Sequence, residues 1–151
     1  EELLSVNPDG IFLSNGPGDP SDNVDIIENV KKLIMLKKPM MGICLGHQLL
    51  ALAHGFSTTK LKYGHRGANQ PVKHLESGRT YISSQNHGYA VVNESIDENV
   101  AKPLFINVKD NTNEGLEYLN EPCFSVQFHP EACAGPKDTS FLFDNFISML
   151  T

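Results

Sequence analysis

Pro39-Met40-Met41-Gly42-Ile43-Cys44-Leu45-Gly46-His47-Gln48-Leu49-Leu50 is the stretch that decides the fold. The residues up to Ile43 read as a short buried strand, a single cysteine follows, and a helix opens over Leu45 to Gln48. Glycines on either side of Cys44 predict a sharp strand-to-helix turn with the thiol at its apex, the G-x-C-x-G form of a nucleophile elbow. A thiol in that place meets a helix N-terminus, whose dipole and free N–H groups favour thiolate. The N–H of Leu45 would point where an oxyanion forms. A free cysteine is just as often a small buried hydrophobe. The flanking sequence has to decide.

Upstream, Gly10-Ile11-Phe12-Leu13-Ser14 is an apolar run bounded by turn residues, hence a second buried strand. Asn15-Gly16-Pro17-Gly18-Asp19-Pro20 cannot continue it; its glycines allow close backbone approach to a ligand, and it also serves simply as a connection. Ser21 to Lys38 has a capping residue, early acids, late lysines and a stripe of Ile26, Ile27, Val30, Leu33 and Ile34, so it predicts a helix ended by Pro39. Strand, helix, strand, helix is the signature of a parallel sheet covered on both faces. Ligands bind such sheets at the carboxyl ends of the strands, which gives Cys44 and the Gly16/Gly18 loop one address.

Downstream, Gly55 is the expected stop of the helix after Cys44. Thr58 to Lys62, Pro71 to Leu75, Arg79 to Ser83 and Leu104 to Val108 predict strands. Tyr63 to Asn69, Ser84 to Tyr89 and Asp110 to Gly115 predict polar loops or turns. Cys123 to Phe128 alternates, with Phe124, Val126 and Phe128 on one face and Ser125 and Gln127 on the other. Beyond Pro136 a last helix carries Leu142, Phe143, Phe146, Ile147 and Leu150 as its apolar stripe.

Length and composition fit one domain over residues 1–151, with 40% hydrophobic and 20% charged residues. A net charge of −6 without a basic cluster argues against nucleic acid as partner. No apolar run reaches membrane-span length and no signal-peptide pattern opens the chain, so no membrane association is expected. Three scattered cysteines suit free thiols in a reducing compartment, the cytoplasm. The chain opens at Glu1 rather than methionine, which predicts a fragment or a processed product.

A nucleophilic cysteine needs a base, and the base needs an orienting partner. Among six histidines, His129 stands apart: it ends a strand, precedes a proline and has Glu131 two residues on, able to fix its tautomer. The competing view is a capped strand end with an incidental acid. His47 should pack or hydrogen-bond along its helix flank, and His87 sits in a polar loop, where it either touches substrate or simply braces the loop. Cys123, His129 and Cys133 lack the paired spacing of a structural zinc site, so no metal is expected.

Gly42-Ile-Cys-Leu-Gly-His-Gln48 followed by His129-Pro-Glu131 resembles the class I (triad) glutamine amidotransferase family. Leu13 to Pro20, Gly64-His-Arg-Gly67, Asn69-Gln-Pro-Val72, Gln85-Asn-His-Gly88 and Phe124 to Glu131 narrow the likeness to the amidotransferase domain of glutamine-dependent carbamoyl-phosphate synthetases. Pro103-Leu-Phe105 and Thr112-Asn-Glu-Gly115 look more like the fused eukaryotic forms than the separate small chain. The resemblance implies an α/β, flavodoxin-like three-layer fold with a central, mainly parallel sheet, its first strand–helix unit missing here and the domain therefore incomplete at its N-terminus. It implies Cys44 as nucleophile, His129 and Glu131 as its partners, and Gly18 and Leu45 N–H groups for the oxyanion. Gly16, Gln48, Asn86, Gly88 and Tyr89 are implied around L-glutamine, Tyr89 through its backbone. No cofactor is implied in this domain; ATP, bicarbonate and magnesium belong to a synthetase subunit or fused synthetase domain that receives the ammonia. An amidotransferase for another acceptor, or a non-catalytic regulatory remnant, are the competing roles.

Overall fold

The computed structural model describes residues 2–16, 18–132, 139 and 141–150. Cys133 and Pro136 lie outside them. A short helix, α1 (Glu2–Ser5), precedes β1 (Ile11–Leu13), α2 (Val24–Ile34), β2 (Met40–Ile43) and α3 (Leu45–Ala53). Then come β3 (Thr58–His74), β4 (Thr80–Val91), β5 (Ala101–Asn107), β6 (Asn113–Tyr118), β7 (Cys123–Val126) and α4 (Phe141–Met149). The strands form one sheet in the order β1-β2-β7-β6-β5-β3-β4.

The sheet corrects one expectation. It is mixed rather than mainly parallel: β1–β2 and β2–β7 pair parallel, while β7–β6, β6–β5, β5–β3 and β3–β4 pair antiparallel. Parallel pairing needs a long crossover, which α2 and the long excursion before β7 supply; the chain between β3 and β6 turns back through short connections, and these impose antiparallel ladders.

Residues of β2 and β7 are buried on both faces, and their alternation sorts them between two cores. Met40 and Cys123 join Val30, Leu50, Ala51 and Phe56 under α2 and α3. Met41, Phe124, Val126 and Phe128 join Phe105 and Leu142 under α4. The three layers follow from that period of two. In α2 the buried stripe is Val30 with half-buried Ile27, Leu33 and Ile34, whereas Ile26 is exposed. In α4 the expected stripe also loses two members, since Ile147 is 60% and Leu150 36% exposed. The helix predicted from Ser21 begins at Val24, because Asp19 accepts from the Ser21 backbone N–H at 2.9 Å and caps a separate 3-10 turn over Pro20–Asp22.

The largest difference lies in the polar stretches Tyr63 to Asn69 and Ser84 to Tyr89, which are strand rather than loop. They form the middle of the β3–β4 ladder, with His65 opposite His87, Arg66 opposite Asn86 and Gly67 opposite Gln85. Register shifts between Lys60 and His65 and between Gly67 and Gln70 break the ladder's regularity. The strands stay polar because their middle lines a cleft rather than a core. Asn113 and Glu114, predicted in a turn, open β6 and are fully buried.

Candidate active site

Two close approaches build the elbow. A Cβ on Gly42 would lie 2.7 Å from Leu50 Cδ1 and 2.8 Å from the Gly46 carbonyl carbon. One on Gly46 would lie 2.2 Å from the Leu13 carbonyl oxygen. The first turn of α3 thus presses directly on β1 and β2, at a distance only glycine permits. Between these glycines Cys44 takes φ 55°, ψ −106°, a conformation rare for a residue with a side chain and costing about 1–3 kcal/mol. Its N–H donates to the Val126 carbonyl at 2.9 Å, tying the apex to β7.

The predicted residues converge. Cys44, Gly16, Gly18, Leu45, Gln48, Asn86, Gly88 and Tyr89 all line one cleft of about 570 Å³, together with Asn15, Lys60, Arg66 and His87. A Cβ on Gly16 would meet Leu45 Cδ2 at 2.8 Å, whereas Gly18 needs glycine for its φ of +95°. Gln48 Nε2 donates to the Tyr89 carbonyl and to Gln127 Oε1, both at 2.9 Å, which leaves Gln48 Oε1 for a ligand. The Tyr89 carbonyl also meets His87 Nδ1 at 2.7 Å, so it ties Gln48 and His87 together.

His129 and Glu131 are not on the wall of that cleft. Glu131 lines an adjoining one with Phe12, Ser14, Asn15, Ile43 and Phe143. Glu131 Oε1 lies 2.8 Å from His129 Nδ1, the orienting contact expected from their spacing. The His129 backbone N–H donates to the Ser84 carbonyl at 2.9 Å, which anchors the strand end to β4. Both groups act on the cleft: Glu131 helps to raise the Cys44 thiol and His129 to lower His87.

Electrostatics correct a second expectation. Burial pushes the Cys44 thiol up to about 11, outweighing the Leu45 N–H and the Gln127 side chain, which lower it. The helix N-terminus alone does not overcome that burial. His47 packs as expected, fully buried with Nδ1 2.7 Å from Ser125 Oγ, and burial lowers it to about 3.

Sequence reading missed Gln127, His65 and Glu114. Gln127 is fully buried, and its Nε2 donates to Cys44 Sγ at 3.7 Å. His65, His87 and Glu114 bring donor atoms within 4.8 Å of one another. The His65 Nε2 lies 2.7 Å from Asp110 Oδ2, and its Nδ1 stands 3.2 Å from Glu114 Oε1 in poor hydrogen-bond alignment. These carboxylates, Glu114 foremost, push His65 up to about 9, so it is an imidazolium between two acids. Burial conversely lowers His87 to about 4. The signal for Gln127 was present: a polar residue on a strand adjoining a His-Pro-Glu end has an inward face to occupy.

The family profile for class-I glutamine amidotransferases matches residues 1–149. The chain is 55% identical over 150 residues to the carbamoyl phosphate synthase small chain of Caldanaerobacter subterraneus subsp. tengcongensis, covering 99% of this chain and 42% of that protein. It is 56% identical over 148 residues to the small chain of Clostridium acetobutylicum, covering 98% and 42%. The chain therefore spans about two fifths of the length of these relatives. A crystal structure described as a GMP synthase subunit from Thermoplasma acidophilum superposes with TM-score 0.75 at 25% identity, covering 94% of this chain and 72% of that one. A glutamine amidotransferase from Thermotoga maritima gives 0.65 at 21%, covering 80% and 56%. On the profile match along nearly its whole length, the chain belongs to the class-I glutamine amidotransferase family.

Proposed function

We propose that this domain is the glutaminase of a carbamoyl-phosphate synthetase, splitting L-glutamine into glutamate and ammonia. The observation that carries it is the convergence of Cys44, at a strained elbow, with all seven predicted substrate residues on one cleft. The small-chain names of relatives sharing more than half of its residues support the acceptor system.

Glutamine enters with its α-ammonium toward Gln48 Oε1 and its α-carboxylate toward the Gly16, Asn86, Gly88 and Tyr89 backbone. The Cys44 proton passes to His129, and the sulfur attacks the side-chain amide carbon. The resulting oxyanion is held by the N–H groups of Gly18 and Leu45. His129 returns its proton to the departing nitrogen, ammonia leaves, and a glutamyl thioester remains. Water then attacks the thioester carbon, giving a proton to His129; the C–S bond breaks, glutamate forms, and His129 returns the proton to the departing sulfur, restoring the thiol. Glu131 holds His129 in the tautomer that can accept at its other nitrogen. Ammonia goes to a synthetase subunit or domain, which uses bicarbonate and ATP to make carbamoyl phosphate, in the cytoplasm. No described helix is long and apolar enough to cross a membrane.

Glutamate release from glutamine, measured with and without a synthetase partner and against Cys44→Ala, tests the proposal. Turnover abolished by Cys44→Ala and stimulated by the partner is expected. Turnover that survives the substitution, or none in a folded chain with its partner, would sink it.

A further inference from the structure

We infer that Gln127 belongs to the reaction machinery: its carboxamide is locked with an N–H toward Cys44 Sγ, where it holds and stabilises the nucleophile's sulfur as thiolate. This rests on the nucleophilic role proposed for Cys44.

The Tyr89 carbonyl sets the polarity of both amides. The oxygen of Tyr89 can only accept, so the Gln48 amide that bonds it at 2.9 Å must present its nitrogen there. That same nitrogen lies 2.9 Å from one end of the Gln127 amide, which must therefore be the oxygen. The other end of Gln127, its NH2 group, is left facing Cys44 Sγ at 3.7 Å. Inverting either amide would set acceptor against acceptor or donor against donor between two buried side chains, where unmatched groups are costly. The polarity of the chain Tyr89 carbonyl, Gln48, Gln127, sulfur is thus fixed at its far end. Backbone position is fixed as well, because the Gln127 N–H donates to the Glu114 carbonyl at 2.9 Å.

The sulfur needs such a donor. Burial opposes its ionisation, and the other group that lowers it, the Leu45 N–H, is the one the substrate's oxyanion would recruit. A donor from Gln127 stays on sulfur when Leu45 turns to the substrate. Gln48, which borders the cleft, also links ligand and sulfur through one side chain.

The test is the rate of iodoacetamide alkylation at Cys44 in the full chain, resolved by peptide mass spectrometry, from pH 6 to 9. Gln127→Met keeps the bulk and removes the donor; Gln127→Glu keeps the shape and replaces the donor by an acid. Loss of the donor raises the thiol by about one pH unit, leaving about tenfold less thiolate. The more basic thiolate is about threefold more nucleophilic, so alkylation falls about threefold across the range. Gln127→Glu falls at least as far. Alkylation of buried Cys123 stays at its wild-type rate if the fold is intact, and if Gln127→Met loosens it, Gln127→Glu decides alone. Profiles superimposing on wild type in a folded variant overturn the inference. Alkylation needs no turnover, so a displaced profile in a chain without glutaminase activity upholds the role of Gln127 while defeating the proposed function. In an active chain, kcat falls with KM little changed; a KM change alone would mean that Gln127 merely props Gln48, and would also overturn the inference.

Discussion

Replacing Gly46 by alanine gives two physical effects of opposite sign. Alanine within a helix is better than glycine by at most about 1 kcal/mol, an upper bound for the first turn of α3, so propensity alone predicts a more stable protein. The structure predicts the reverse. The new Cβ would lie 2.2 Å from the Leu13 carbonyl oxygen and 2.8 Å from Leu13 C and Cβ. Reaching even a 3.0 Å separation needs a shift of about 0.8 Å, taken as 3.0 minus 2.2. Neither side can swing away, because one is helix backbone and the other is β1, whose register with β2 runs Ile11 to Met40 through Leu13 to Gly42. Overpacking of this kind costs about 1–3 kcal/mol, and the backbone clash places it at the upper end. Set against the propensity gain, the net loss is about 2 kcal/mol, or roughly 4–8 °C in melting temperature for a domain of this size. The shift also carries Cys44 and the Leu45 N–H with the helix, and a misplacement near 1 Å costs about 10²-fold in turnover. Thermal unfolding and glutamate release would be measured on the same sample. A melting temperature equal to or above wild type, with activity retained, would refute the packing argument for the elbow glycines.

Three further outcomes are expected. Gly55→Ala tests backbone alone, since nothing lies within 4 Å of its Cβ position while φ is +89°; it should cost about 1 kcal/mol in denaturant unfolding and leave turnover unchanged, and a stabilised variant would contradict it. Glu131→Ala should lower kcat about 10²-fold with little effect on stability, because the carboxylate bonds His129 yet is half exposed; a change of less than about threefold would mean that it orients nothing. His65 is raised from 6.5 to about 9, so the stability it lends is full below pH 6.5 and is lost as pH climbs through 9. Unfolding free energies at pH 6 and 9.5 should therefore converge in His65→Gln, and an unchanged pH slope in that variant would remove His65 as the cause.

The elbow was legible because its physics is local: two close approaches leave no choice but glycine, and the glycines stand in the sequence around the one cysteine. The three layers followed from apolar periodicity in α2, β2 and α3. Where a strand serves a cleft instead of a core, that signal vanishes. The middle of β3 and β4 therefore read as loop, although pairing across the hairpin satisfies its backbone. Glu114 was hidden for a related reason, since an Asn- and Gly-rich run looks like a turn until β5 and β7 close over it. The contact between His129 and Glu131 was visible from spacing, but the high pKa of Cys44 was not, because it comes from neighbours brought together only by folding.

The place of β7 has a consequence for how the protein comes into being. Met40 to Ile43 and Gly115 to Glu117 have no ladder to each other; each pairs with β7, which sits between them as a keystone. At a synthesis rate of about 5–20 residues per second, the 82 residues from Cys44 to Val126 take roughly 4 to 16 s to emerge. Until β7 emerges, β2 and β6 have no strand to join them into one sheet, and the cysteine has neither the Val126 carbonyl on its N–H nor Gln127 at its sulfur. On the ribosome, the hydrogen-bonded setting of Cys44 and a completed sheet become possible together, with the insertion of one late strand.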